Sequence, residues 1–91
     1  MRYAPLLAGG LACTLLLASP LRAASALLEK AKQNPEMAKT LCARFKQFNA
    51  EGKSATSPES LQWVAAKENL SMLDAEVLAT YVIGLNCSDV R

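Results

Sequence analysis

The segment from Ser71 to Cys87, SMLDAEVLATYVIGLNC, decides the fold. It opens with the Ser-x-x-Asp pattern of a capping box, in which Ser71 caps a helix that starts at Met72. Apolar residues then occupy nearly every face of the run 77–85, as in a helix that is covered on most sides. We therefore predict a central, buried helix over about Met72–Asn86. Gly84 costs about 1 kcal/mol inside a helix, and we expect the close approach of a neighbouring helix to offset that cost.

Two further helix starts precede this segment and share one pattern. Ser57-Pro58-Glu59 and Asn34-Pro35-Glu36 each place a capping residue first, proline at the first helical position and an acid near the positive helix end. Gly52 is suited to end the helix that starts at Pro35. No run shows the alternation of a strand. We predict an all-α, compact bundle of about four short helices with one disulfide, preceded by a signal-peptide helix. The predicted helices cover about Ser25–Gln33, Pro35–Ala50, 58–69 and 72–86.

The first residues have the order of a secretory signal peptide. Arg2 is followed by an uncharged apolar stretch over 3–21 and by small residues over 23–26. We assign residues 1–24 to a signal peptide, cleaved somewhere between 23 and 26, and residues 25–91 to a single small domain. Two alternatives stay open: an uncleaved membrane anchor, and a lipoprotein signal at Cys13, which lacks the expected leucine three residues earlier. After cleavage we expect no stable membrane insertion.

Cleavage would leave two cysteines, Cys42 and Cys87. An even number of cysteines in an exported chain indicates a disulfide, and two residues allow only one pairing. Such a bridge would tie the second helix to the end of the last one. A redox-active pair is the alternative, but neither cysteine lies in a Cys-x-x-Cys motif at a helix N-terminus. A two-cysteine metal site would lack further soft ligands.

The composition limits the chemistry of the chain. The 91 residues contain no histidine, which excludes a serine–histidine–acid triad and a histidine-ligated metal or haem within this chain. The acids are scattered, so we predict no metal site, no cofactor and no enzymatic activity. The aromatic residues are expected in the core, with ligand stacking as the alternative reading; they are Phe45, Phe48, Trp63 and Tyr81.

The formal net charge of +2 is carried entirely by Arg2 and Arg22 in the leader, so the remaining domain is neutral. Residues 27–53 have a net charge of +3 and residues 54–91 a net charge of −3. This complementarity can act within the domain or in head-to-tail self-association. A neutral domain without a dense basic stripe is not expected to bind nucleic acid.

Three stretches carry a resemblance to a known kind of protein. They are Leu41-Cys42 through Gly52, Leu70-Ser71-Met72-Leu73-Asp74-Ala75, and Tyr81 through Cys87. Together they resemble small exported bacterial helical domains of unknown function, over roughly residues 37–90. Those domains often have proline after the last cysteine, where this chain has Ser88. The resemblance implies the helical fold and the helix-bridging disulfide, and it implies no activity.

Two functions from different classes follow as expectations. The first is an uncharacterised, non-enzymatic binding or structural module of the cell envelope, exported to the periplasm or an equivalent lumen, or secreted, with an unknown protein or envelope partner. The second is a small periplasmic chaperone of the acid-stress type. The second rests on architecture alone, which is a weak basis for function.

The leader and the cysteine pair lead to one measurement. The intact mass of the exported protein should lack the residues before a cleavage site between 23 and 26, and it should be lower than that of the dithiol form by two hydrogen atoms. Two free thiols, or a mass that still includes residues 1–22, would contradict the assignment of compartment.

Overall fold

The computed structural model describes residues 24–91. The predicted leader and its alternatives, including the reading of Cys13 as a lipidation site, lie outside the described residues apart from Ala24. Within residues 24–91 the chain forms helices and no strand, so the predicted all-α architecture is confirmed. The helices are α1 over 24–33, α2 over Pro35–Ala50, α3 over Pro58–Glu68 and α4 over Met72–Asn86.

Serine side chains fix the starts of the last two helices. The Ser57 hydroxyl accepts a hydrogen bond from the backbone N–H of Ser60 at 3.3 Å, which caps α3. The Ser71 hydroxyl accepts one from the N–H of Asp74 at 3.1 Å, which caps α4. Each bond pairs one of the N–H groups that a helix start leaves without a partner. Both predicted serine caps are confirmed.

The predicted cap at Asn34 is wrong in its chemistry. Asn34 does precede α2, but its side chain accepts no hydrogen bond from that helix. Its Nδ2 instead donates to the carbonyl oxygen of Lys30 at 2.8 Å. Because α1 ends only one residue before α2, the same side chain is within reach of an unpaired carbonyl at the end of α1. The asparagine therefore closes the earlier helix.

Residues in the left-handed backbone conformation end α2 and α3. Gly52 has φ of 81°, and the N–H of Lys53 donates to the Phe48 carbonyl at 2.8 Å. The N–H of Gly52 also donates to the Asn49 carbonyl at 2.9 Å. These two hydrogen bonds form a Schellman motif, so the predicted helix end at Gly52 is confirmed. Asn69, with φ of 56°, plays the same part after α3.

The core lies where α4 packs against both α2 and α3. Five of its larger side chains have no exposed surface at all, and α1 adds two buried side chains at the edge of the core. The five are Leu41, Phe45, Val64, Leu78 and Val82, and α1 contributes Leu27 and Ala31. The prediction that α4 is the central helix is confirmed in the sense that α2 and α3 both pack on it.

The outer side of α4, however, is open to solvent. Leu73, for example, is 70% exposed. A β-carbon added at Gly84 would meet no atom of another element within 4 Å among residues 24–91, so the prediction of a neighbouring helix close to Gly84 is wrong for this part of the chain. The reason is the small number of helices, because three neighbours cannot cover every side of a fourth helix in a domain of this size. An apolar sequence therefore indicates that a helix is central, but it does not indicate which side of that helix remains exposed.

The last residues of the chain are fastened to the loop after α2. The Asn49 side chain donates to the backbone oxygen of Arg91 at 2.8 Å and accepts from the Arg91 N–H at 2.7 Å. The N–H of Ala55 donates to the same Arg91 oxygen at 2.7 Å, and Val90 is buried in the core. Val90 and Arg91 are therefore held against the loop that follows α2.

The two glycines of the described chain should respond oppositely to alanine. Gly52→Ala forces an alanine into the left-handed region and should lower the free energy of unfolding by about 1 kcal/mol. Gly84→Ala on an open helix face should raise it by about 0.5–1 kcal/mol. Urea unfolding of the oxidised protein in dilute solution measures both. A loss of stability in Gly84→Ala as large as that in Gly52→Ala would contradict the structure.

Candidate interaction surface

The two cysteines predicted to pair are joined. Cys42, in the middle of α2, forms a disulfide with Cys87, the residue that ends α4, and their Cα atoms are 6.0 Å apart. The residues are only 8% and 4% exposed. A dissolved thiol has poor access to a buried disulfide, which favours a structural bridge over the redox-active alternative. Closing a loop of 45 residues is worth about 4 kcal/mol in the chain-entropy model.

A hollow beside the disulfide brings two lysines to the end of α4. Lys39 and Lys46 of α2 line it together with Asn86, the last residue of α4. Both lysines are exposed, and neither forms an ion pair with another residue of the described chain. The C-terminal end of a helix carries a partial negative charge, which suits nearby cations. This end of α4 is therefore bordered by positive charge.

The aromatic side chains divide into two groups. Phe45 and Phe48 are buried, as predicted, whereas Trp63 and Tyr81 are only half-buried. Arg44 contacts one ring from each group. Its guanidinium carbon lies 4.7 Å from the Phe48 ring centroid and 5.7 Å from the Trp63 ring centroid. Such stacking is a cation–π contact. Sequence reasoning missed this contact, although Arg44 and Phe48 are four residues apart, a spacing that places side chains together on a helix.

Ion pairs join the basic and acidic parts of the chain. Lys30 of α1 lies 3.1 Å from Glu68 of α3, whose side chain is 12% exposed. Lys53 lies 2.8 Å from Glu59, and the hydrogen bond and negative charge of that carboxylate raise the pKa of Lys53 above its ordinary 10.5. Both of these pairs link a base from residues 27–53 with an acid from residues 54–91, whereas the longer contact between Lys53 and Glu51, at 3.8 Å, lies within residues 27–53. Part of the predicted charge complementarity is thus used within the domain.

The exposed side of α4 forms a continuous surface, which we call the outer α4 face. Its residues recur at helical spacing, and all are exposed or half-buried. No charged residue occurs anywhere from Val77 to Ser88, so Glu76 is the single charge on this face. Apolar helix surface of this kind is characteristic of sites of association. The outer α4 face consists of Leu73, Glu76, Val77, Thr80, Tyr81 and Gly84.

The hydroxyl group of Thr80, at the middle of the outer α4 face, already has a hydrogen-bond partner. Its hydroxyl donates to the Glu76 carbonyl at 2.8 Å, within the helix itself. A hydroxyl that is already paired does not have to keep its contact with water when a partner covers it. The centre of the face can therefore be buried at low cost.

The described residues offer no constellation for metal chemistry. Within residues 24–91 no three carboxylate or cysteine side chains come together as a metal site would need. In the same span, no helix has the length and apolar character required to cross a membrane. The outer α4 face is therefore the strongest candidate site in this part of the chain.

Comparison with known proteins identifies a family. The model of a domain of unknown function, DUF8664, matches residues 28–87. The chain belongs to the DUF8664 family. The matched span of the DUF8664 domain begins in α1 and ends at Cys87, so it contains both cysteines and the outer α4 face. The predicted resemblance to a helical domain of unknown function is confirmed in that general form. Comparisons with curated proteins and with solved structures find no match.

Proposed function

We propose that this DUF8664 protein is a non-enzymatic, exported module that binds a protein partner through the outer α4 face. The observation that carries the proposal is the exposure of apolar side chains on a helix that is otherwise the centre of the core, with Leu73 70% exposed. Disulfide, caps and core hold that helix in place, so its outer side is presented as a fixed surface. Preorganised surfaces of this kind lose little conformational entropy when they bind.

Export to an envelope compartment, or secretion, is the second part of the proposal. It is supported by the order of basic, apolar and small residues over 1–26. The Cys42–Cys87 disulfide adds support, because disulfides persist in oxidising compartments such as the periplasm. A binding role is preferred to an enzymatic one because the chain has no histidine and its acids do not converge within the described residues.

The acid-stress chaperone remains a second candidate, and one contact favours it. The ion pair between Lys30 and Glu68 joins α1 to α3, and α1 covers the core edge with Leu27 and Ala31. Acid neutralises carboxylates in general, so ion pairs of native proteins are lost at low pH. Release of α1 would then uncover apolar surface that could hold unfolded clients.

Site-specific photo-crosslinking in the native envelope tests the binding role. A photoactivatable residue at Leu73 should capture a protein partner, because this position protrudes from the outer α4 face. The matched control is Gln62, an exposed residue of α3 that lies outside this face. Capture from Leu73 and not from Gln62 is expected. Equal capture from both positions, or none from Leu73, would contradict the proposal.

Acidification separates the two candidates. A binding module stapled by a disulfide should keep its helical circular dichroism near pH 3, bind no hydrophobic dye and leave the aggregation of unfolded clients unchanged. Dye binding together with suppressed client aggregation would assign the chaperone role. The variant Glu68→Gln removes the α1–α3 ion pair at neutral pH and serves as the control for release of α1.

A further inference from the structure

We propose that the hollow beside the disulfide binds a phosphate monoester through Lys39, Lys46 and Asn86. The hollow lies between α2 and the end of α4 and has a volume of about 350 Å³, which is within the range of sites for small molecules. It shares no residue with the outer α4 face. A phosphate site here is therefore independent of the binding role proposed for that face.

The two lysines lie on the same side of α2, with room between them. They are seven residues apart, so the helix separates them by about 10 Å along its axis and turns them only about 20° from each other. Ala43 lies between them and also lines the hollow. Alanine is short, whereas each lysine carries its ammonium group on a flexible four-carbon stem. Both ammonium groups can therefore reach one ligand that sits over Ala43.

The charge of the hollow is positive. Lys39 and Lys46 form no ion pair with another residue of the described chain. Among residues 24–91 no acid lines the hollow, and the acids nearest to it in sequence, Glu36 and Asp89, are not part of its wall. The end of α4 contributes a partial negative charge of about one half, which leaves a net charge of about +1.5. An anion is the ligand that this charge attracts.

A phosphate monoester matches the donors of the hollow in charge and in number. At neutral pH such a group carries a charge of about −1.5 to −2 and presents three strong acceptor oxygens. The two ammonium groups and the side-chain amide of Asn86 can supply a donor to each oxygen. Lysine binds phosphate as a point charge, whereas a carboxylate is matched best by the planar fork of an arginine. No arginine lines the hollow in the described chain.

The disulfide holds the backbone of these donors in place. Cys42 and Cys87 line the hollow and form a largely buried, apolar part of its wall. Cys42 lies between the two lysines in sequence, and Cys87 directly follows Asn86. The bridge therefore fixes α2 beside Asn86, with the two cysteine Cα atoms 6.0 Å apart. Donors whose backbone is fixed before binding lose less conformational entropy when the ligand arrives.

A nuclear magnetic resonance titration of the oxidised, exported protein with inorganic phosphate tests the site. At constant ionic strength and about pH 7.5, the backbone amide resonances of Ala43 and Cys87 should shift and saturate, with a Kd of about 1 mM. Ionic strength is held constant because exposed charges also attract ions without a site. Shifts that do not saturate, or that are as large around Lys67 of α3 as around Ala43, would overturn the proposal.

Charge variants show whether the two lysines act as a pair. Lys39→Gln and Lys46→Gln should each weaken phosphate binding by at least about fivefold, because each removes one charged donor. Lys67→Gln makes the same change at an exposed position of α3 and should leave binding unaltered. Circular dichroism establishes that the variants are folded. An equal loss in all three variants would mean attraction by the overall charge, and the site would be wrong.

A variant that fills the hollow tests its shape without changing any charge. Ala43→Leu places a larger side chain between the two lysines and should abolish saturable binding. Its matched control is Ala50→Leu, since Ala50 is exposed on the same helix and does not line the hollow. Unchanged phosphate binding in folded Ala43→Leu would overturn the seat over Ala43.

The ligand's own ionisation and its source supply the last test. The second pKa of phosphate is about 6, so binding should weaken between about pH 7.5 and about pH 5 as the dianion takes up a proton. Lys39 and Lys46 are the charged groups that line the hollow, and no charged group of α4 does so. Glycerol 3-phosphate should bind like inorganic phosphate, whereas vesicles of phosphatidylglycerol, a phosphodiester, should not displace it. Binding of the vesicles alone would overturn the monoester.

Discussion

The disulfide between Cys42 and Cys87 is the constraint on which the arrangement of this domain depends. It joins the middle of α2 to the residue that ends α4, and it closes a loop of 45 residues. In a domain of this size the core alone leaves only a few kcal/mol of net stability, so a staple worth about 4 kcal/mol is comparable to the rest. It also fixes which end of α4 lies beside α2.

That fixed position determines both sides of α4. Inward, the helix packs against α2 and α3 and buries Leu78 and Val82 completely. Outward, nothing in the described chain covers it, and Leu73 remains mostly exposed. The bridge also places Lys39 and Lys46 at the end of α4. The positions of the outer α4 face and of these two lysines are therefore consequences of the same covalent link.

Much of the fold was predictable because it depends on neighbours in sequence. The serine caps, the proline at the first helical position and the stop at Gly52 each act within a few residues, so their pattern predicts where helices begin and end. The two errors have different causes, of which only the second is long-range. Asn34 caps the preceding helix because α1 ends immediately before it, and Gly84 faces solvent because no further helix is available to cover it.

The sequence by itself determined the helical class, the ends of the helices and the pairing of Cys42 with Cys87, because periodicity, capping and the number of thiols within residues 24–91 are local or countable properties. The tertiary structure alone decided which side of α4 is left open. It also decided that Arg44 stacks on Trp63 and that Asn49 fastens the tail through Arg91. The physical reason is that an apolar pattern indicates how much surface must be buried, whereas tertiary packing determines which residues cover that surface.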